Sequence, residues 1–238
     1  MTDKHHIVRA FDRELEAVQA KIVRMGGLVE AAISEAMTAL TDRDPELARK
    51  VRENDRLIDE LEEEIEHDTA QIIALWSPTA SDLRTVLAVM RIAGNLERVG
   101  DYAKNIAKRS EVLSEMARLE SAVGSLNRMA REVEGMLKDS LDAYIQHDAE
   151  LAETVRSRDS DVDQMYNAIF RELLTHMMED PRNITGAMHL HFVAKNIERM
   201  GDHVTSIAEQ VIYLVTGERP EEERKKRDRT SFVQSPES

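Results

Sequence analysis

Between residues 5 and 43, Phe11, Leu15, Val18, Ile22, Met25, Val29, Ile33, Ala36 and Leu40 recur at intervals of three and four, with polar residues between them. That period matches one face of an α-helix and predicts a long amphipathic first helix. Asp44-Pro45 then supplies an N-cap followed by proline at the first helical position. Leu47, Val51, Ile58, Leu61, Ile65 and Ile72 carry a second stripe to about Trp76, where Ser77-Pro78 interrupts it. A third helix is expected over residues 79–110, with Val86, Val89, Ala93, Leu96, Ala103 and Ala107 on its inner face. Small residues this frequent permit close helix packing.

The second half repeats the plan, with helices expected near residues 115–147, 148–178 and 182–215. Asp44-x-Glu46-Leu47-Ala48-x-x-Val51-Arg52 returns as Asp148-x-Glu150-Leu151-Ala152-x-x-Val155-Arg156, an offset of 104 (148 − 44). Asp55 and Asp59 map onto Asp159 and Asp163 at the same offset. Asn95-Leu96-Glu97-Arg98-Val99-Gly100-Asp101 returns as Asn196-Ile197-Glu198-Arg199-Met200-Gly201-Asp202 at an offset of 101 (196 − 95), so the second copy is shorter around the loop near Pro181. The fold class that follows is all-α: two tandem pseudo-symmetric three-helix bundles, six long antiparallel helices in all. The first repeat is expected over residues 5–112 and the second over 113–216. Residues 217–238 have no apolar period and read as a disordered tail.

Composition narrows the function. The chain has 46 acidic and 32 basic residues, a net charge of −14, which repels nucleic-acid phosphates and anionic headgroups. Nucleic acid is therefore not an expected partner. No apolar run approaches the ~20 residues that span a bilayer, and the N-terminal MTDKHHIVRAFD lacks the apolar core of a signal peptide. Direct membrane insertion is not expected, and a cytoplasmic location is. With no cysteine, any metal must be held by oxygen or imidazole.

Carboxylates are thus the groups to follow. Residues four apart on a helix sit about 40° and ~6 Å apart, so Glu97 and Asp101 project side by side, Glu97 within the apolar sector and Asp101 at its edge. On the preceding helix Asp55 and Asp59 follow Val51 at the same spacing, and Glu62 lies beyond them. Antiparallel neighbours bring these pairs to one seam that water only partly reaches. Like charges and desolvation both oppose ionisation there, and a hard divalent or trivalent cation would relieve them. The expectation is two metal sites: Asp55, Asp59, Glu97 and Asp101 in one, and Asp159, Asp163, Glu198 and Asp202 in the other, with Glu62 a second-tier candidate for the first. A single ExxxD pair is more often an exposed charge satisfied by Arg98, Arg199, Lys104 and water. Duplication of matched pairs favours metal. Mid-helix Gly100 and Gly201 cost about 1 kcal/mol each relative to alanine, so something approaches the backbone there, a ligand or a neighbouring helix.

Other residues add less. His189 and His191 diverge by ~200° on a helix and cannot share a metal from one face. His67 is expected in solvent, and His203, beside Asp202, is a candidate extra ligand of the second site. No ExxH pair accompanies the carboxylates, which disfavours a ferritin-like di-iron oxidase. Phosphate-cradling loops, dinucleotide fingerprints and nucleophile elbows are absent. The methionines read as core filler, and Pro78 with Asp82-Leu83-Arg84 reads as a cap for the third helix.

Two copies of N-[LI]-E-R-x-G-D-x-x-x-x-I-A, at Asn95 to Ala107 and Asn196 to Ala208, with Pro78, Asp82-Leu83-Arg84, Asp55-x-x-Ile58-Asp59 and the weaker Asp159-x-x-Val162-Asp163, resemble the PhoU family over residues ~5–215. The resemblance implies a pair of three-helix bundles whose facing acidic motifs bind metal, with iron, zinc, manganese or magnesium the ions to consider. It also implies a non-enzymatic accessory protein and negative regulator of the phosphate-starvation response, an adaptor between the ATPase subunit of a phosphate ABC transporter and a sensor histidine kinase. A homodimer is the expected assembly. Tyr166 and Phe170 stand where the first repeat has Glu62 and Glu66, and the second repeat lacks Asp-Leu-Arg, so the second site is expected to have fewer ligands. Two other readings stand beside this one: a metal-dependent phosphoesterase, which turnover would reveal, and a metal-free helical scaffold, which elemental analysis would reveal.

Overall fold

A computed structural model of the chain describes residues 2–220. Its helices are α1 (Thr2–Asp42), α2 (Pro45–Asn54), α3 (Arg56–Trp76), α4 (Ser81–Leu113), α5 (Glu120–Gln146), α6 (Ala149–Glu179) and α7 (Ile184–Thr216), with a 3₁₀ turn at Pro181–Asn183 before α7. No strand occurs among the described residues. The expected second helix is interrupted at Asp55, so α2 and α3 form one rod in two pieces. Its counterpart α6 is continuous, and six long rods result. Residues 221–238, most of the tail expected to be disordered, lie outside the described residues.

The turns show the duplication at atomic level. Arg43 and His147 adopt left-handed backbone (φ 58° and 53°) and end α1 and α5. Asp44 Oδ1 then accepts from the Glu46 and Leu47 amides at 3.0 Å each, and Asp148 Oδ1 from Glu150 and Leu151 at 2.9 and 3.0 Å. These side chains satisfy amides that a helix start leaves without partners. The third helix lacks such a cap. Ala80 (φ 49°) precedes α4 with no side-chain cap bond, contrary to the capping role expected of Asp82-Leu83-Arg84. Arg84 instead runs to the far end of α7: its guanidinium lies 6.0 Å from the Tyr213 ring centroid. A Cβ on Gly217 would collide with Arg84 Nη1 where it now stands. Gly217, at φ 81°, therefore serves both the left-handed stop of α7 and the approach of Arg84.

The buried stripes of all the rods merge into one core that includes Ile22, Met25, Ile65, Leu96, Leu126, Met136, Ile197 and Ile207. Equivalent helices of the two repeats meet across it. α4 packs on α7 with Arg84 beside Tyr213 at one end and Arg109 beside His189 and Phe192 at the other, so the pair is antiparallel. α1 meets α5, with Thr41 and Asn127 hydrogen-bonded between them. Antiparallel pairing of like helices is what a pseudo-twofold axis perpendicular to the helices produces. The second helices lie outside this interface, each against its own third helix. Those two contacts, α2/α3 with α4 and α6 with α7, are the seams where the acidic motifs fall.

Candidate functional site

The first seam is set by a close helix approach. A Cβ on Gly100 would stand 2.9 Å from Ile58 Cδ1 and 3.7 Å from Asp55 Oδ1. Its counterpart Gly201 faces Val162 Cγ1 at 3.3 Å. A neighbouring helix thus accounts for both glycines, and in each repeat its approach brings the acidic residues of the second helix beside those of the third.

Asp55 is 4% exposed, while Asp59, Glu97 and Asp101 are half-buried. Burial is the main force pushing the Asp55 carboxyl above its usual range; Lys104 opposes it, and Asp59 and Asp101 add to it. Glu97 is pushed up to about 6, by burial first and then by Asp101, with Asp59 also contributing. The four residues expected together therefore do lie together. Burial and its acidic neighbours raise Glu62 as well. The cation that meets them is the chain's own. Lys104 Nζ makes a very short ion pair with Asp55 Oδ2 and lies 3.5 Å from Asp101 Oδ1. Arg98 sits at the rim, Nε 3.4 Å from Glu97 and Nη1 3.9 Å from Asp101.

The second seam is drier. Asp159, Asp163 and Glu198 are 8%, 4% and 4% exposed, and Asp202 is half-buried. Thr205 occupies the register of Lys104 (104 + 101), and its hydroxyl lies 3.2 Å from Asp159 Oδ1 and 2.9 Å from the Gly201 carbonyl. Lys195 pairs with Glu198 Oε2 at 2.8 Å, and its ammonium stands 5.0 Å from the Tyr166 ring centroid. Tyr166 and Phe170 pack with His191 at centroid distances of 5.9 and 5.4 Å, filling with rings the space given to Glu62 and Glu66 in the first repeat. His203, considered as an extra ligand, reaches the opposite repeat instead, with Nδ1 2.9 Å from Asn95 Oδ1 and its ring beside Tyr102. His67 is exposed, as expected.

The donor sets suit a hard cation, since four carboxylates line each seam, and in the first an ammonium already stands between two of them. Among the described residues no three acidic or histidine side chains converge in chelating geometry. Asp55 and Asp101 meet Lys104, Asp159 meets Thr205, and Glu198 meets Lys195. Lys104 and Thr205 are the residues that sequence reading undervalued. Their signal was present, four residues after Gly100 and Gly201 on the same helix face, but their partners lie on another helix.

A family model described as the PhoU domain matches residues 22–110 and again 126–211. This chain belongs to the PhoU family. The chain is similar to the phosphate-specific transport system accessory protein PhoU homolog of Caulobacter vibrioides, with 46% identity over 94% of this chain and 97% of that one. The crystal structure of PhoU from Pseudomonas aeruginosa superposes with a TM-score of 0.83 at 40% identity, covering 87% of this chain and 100% of that one. The phosphate transport system regulatory protein PhoU from Streptococcus pneumoniae follows at a TM-score of 0.80 and 31% identity, with 88% of this chain and 99% of that one covered. The PhoU match accounts for both halves at once. Each matched segment contains one Glu-Arg-x-Gly-Asp motif and the aspartate pair it faces. No described helix of this PhoU-family chain is long and apolar enough to cross a membrane.

Proposed function

We propose that the protein is an accessory regulator of phosphate uptake that represses the phosphate-starvation response while phosphate is plentiful, linking the ATPase subunit of a phosphate ABC transporter to a sensor histidine kinase. It works by binding, without turnover, on the cytoplasmic side and as a homodimer. The observation that carries this reading is the duplicated carboxylate seam in a PhoU fold that spans nearly the full length of the relatives it matches. Relatives named for phosphate transport support the pathway.

Asp55, Asp59, Glu97 and Asp101 would hold one cation and Asp159, Asp163, Glu198 and Asp202 a second, from among iron, zinc, manganese and magnesium. A bound ion would supply positive charge to carboxylates that burial and mutual repulsion otherwise hold at a cost. Glu97 would then stay ionised against the second helix, and the seam would become a stiffer face for partners.

Deleting the gene should derepress phosphate-starvation genes in phosphate-rich medium. The variant with Glu97, Asp101, Glu198 and Asp202 all changed to alanine should reproduce that phenotype while keeping its helical circular dichroism. Normal repression by the folded variant would break the link from seam to signalling. Normal repression in the deletion strain would remove the regulatory assignment itself.

A further inference from the structure

The first seam already contains a cation. Lys104 rises from α4 one turn beyond Gly100, and its Nζ lies against Asp55 Oδ2 and 3.5 Å from Asp101 Oδ1. Two of the four carboxylates proposed to hold a metal thus share an ammonium. The opposite carboxylate is nearly dry, with the Asp55 side chain 4% exposed, while the Lys104 side chain is 40% exposed. The lysine therefore reaches into the seam from its open edge, and it can swing out without breaking the core. At the same register of the second repeat the residue is Thr205, whose hydroxyl carries no charge. The lysine of that seam, Lys195, comes from the other side of the motif and pairs with Glu198.

We propose that Lys104 is a resident counter-ion of the first seam that a metal must expel in order to bind there. The inference rests on the metal-binding reading given above and adds its regulation at one site. A cation entering between Asp55 and Asp101 needs the same oxygens that Lys104 holds, and two positive charges on one carboxylate repel. Lys104 therefore offsets part of the negative charge of the seam when metal is scarce, and sets the concentration at which the seam fills. Arg98 does not do this, because its nearest approaches are 3.4 Å to Glu97 and 3.9 Å to Asp101, with its side chain 60% exposed.

Calorimetric titration of the full chain with Mn²⁺ after chelator treatment tests this. Asp159→Asn and Asp163→Asn together silence the second seam, and Lys104 is varied in that background. Lys104→Met keeps the stem and removes the charge; Lys104→Thr installs the residue of the other repeat; Lys104→Arg keeps the charge. Met and Thr should each tighten Mn²⁺ binding about tenfold or more, the factor that one charge-assisted hydrogen bond is worth. Arg should stay within about threefold of the parent, a shift smaller than such a bond supplies. Thermal melting gives a second readout on the otherwise unaltered chain. Lys104→Met should melt lower than the parent without metal and gain more from Mn²⁺ than the parent does. Mn²⁺ affinity equal to or weaker than the parent's in both the Met and Thr variants overturns the role of Lys104 and leaves the metal sites standing. Absence of Mn²⁺ binding by the unaltered chain and by every variant overturns both, so the two failures are distinguishable.

Discussion

At equivalent positions of one duplicated sequence, Asp55 meets a lysine and Asp159 a threonine. Around Asp55 the seam stays polar, with Glu62 half-buried and Arg98 at the rim. Further along the second seam Tyr166 and Phe170 pack on His191, and three of its four acids are almost out of water. Apart from the interruption at Asp55, which α6 lacks, the backbone agrees between the halves, down to the Asp44 and Asp148 caps and the left-handed Arg43 and His147. What differs is how charge is compensated. The close packing at Gly100 and Gly201 fixes where the carboxylates stand, and the residue one turn later decides what answers them. A duplicated fold can thus keep its architecture while its two seams diverge in how buried charge is met.

Breaking the second seam should have the larger effect. Thr205→Val preserves shape but removes a hydroxyl within reach of Asp159 in a fully buried position. The expected cost is about 1–3 kcal/mol without metal, a fall of several degrees in melting temperature. An unchanged melting curve would mean that the hydroxyl serves only the Gly201 carbonyl.

A smaller effect of opposite sign is expected in the first seam. Glu97 has its folded-state pKa raised to about 6 against an ordinary 4.5, so the folded chain holds that proton more tightly than the unfolded chain. The stability this confers is present below the ordinary value and is lost as pH rises through about 6. Glu97→Gln removes the cost of ionisation. It should stabilise the metal-free protein by about 1–2 kcal/mol at pH 7, with the advantage closing toward pH 4.5. Denaturant melts at the two pH values check it, and a loss of stability at pH 7 would show the ionised carboxylate to be well paired.

Most of this architecture was legible in the residues. Apolar positions at intervals of three and four, Asp-Pro and Ser-Pro punctuation, and two offset copies of one motif are local signals, and local signals decide helices. The placement of Asp55 near Asp101, and of Asp59 near Glu97, was legible too, because an antiparallel pair of helices in known register leaves little freedom. Long-range choices of partner were not. The interruption at Asp55 has no glycine or proline to announce it. The approach of Arg84 to Gly217 joins positions 133 residues apart (217 − 84), and His203 turning to Asn95 depends on how the repeats face each other. Arg84 near a helix start looks like part of a cap until the opposite helix end is seen beside it.

Each repeat is proposed to carry one cation-binding carboxylate seam. Native mass spectrometry of the full chain in saturating Mn²⁺ counts the ions directly. Two per chain are expected, one when either the Glu97 and Asp101 pair or the Glu198 and Asp202 pair is changed to alanine, and none when both pairs are changed. An unaltered chain that binds no Mn²⁺, or a count that stays at two in the folded quadruple variant, would contradict the account.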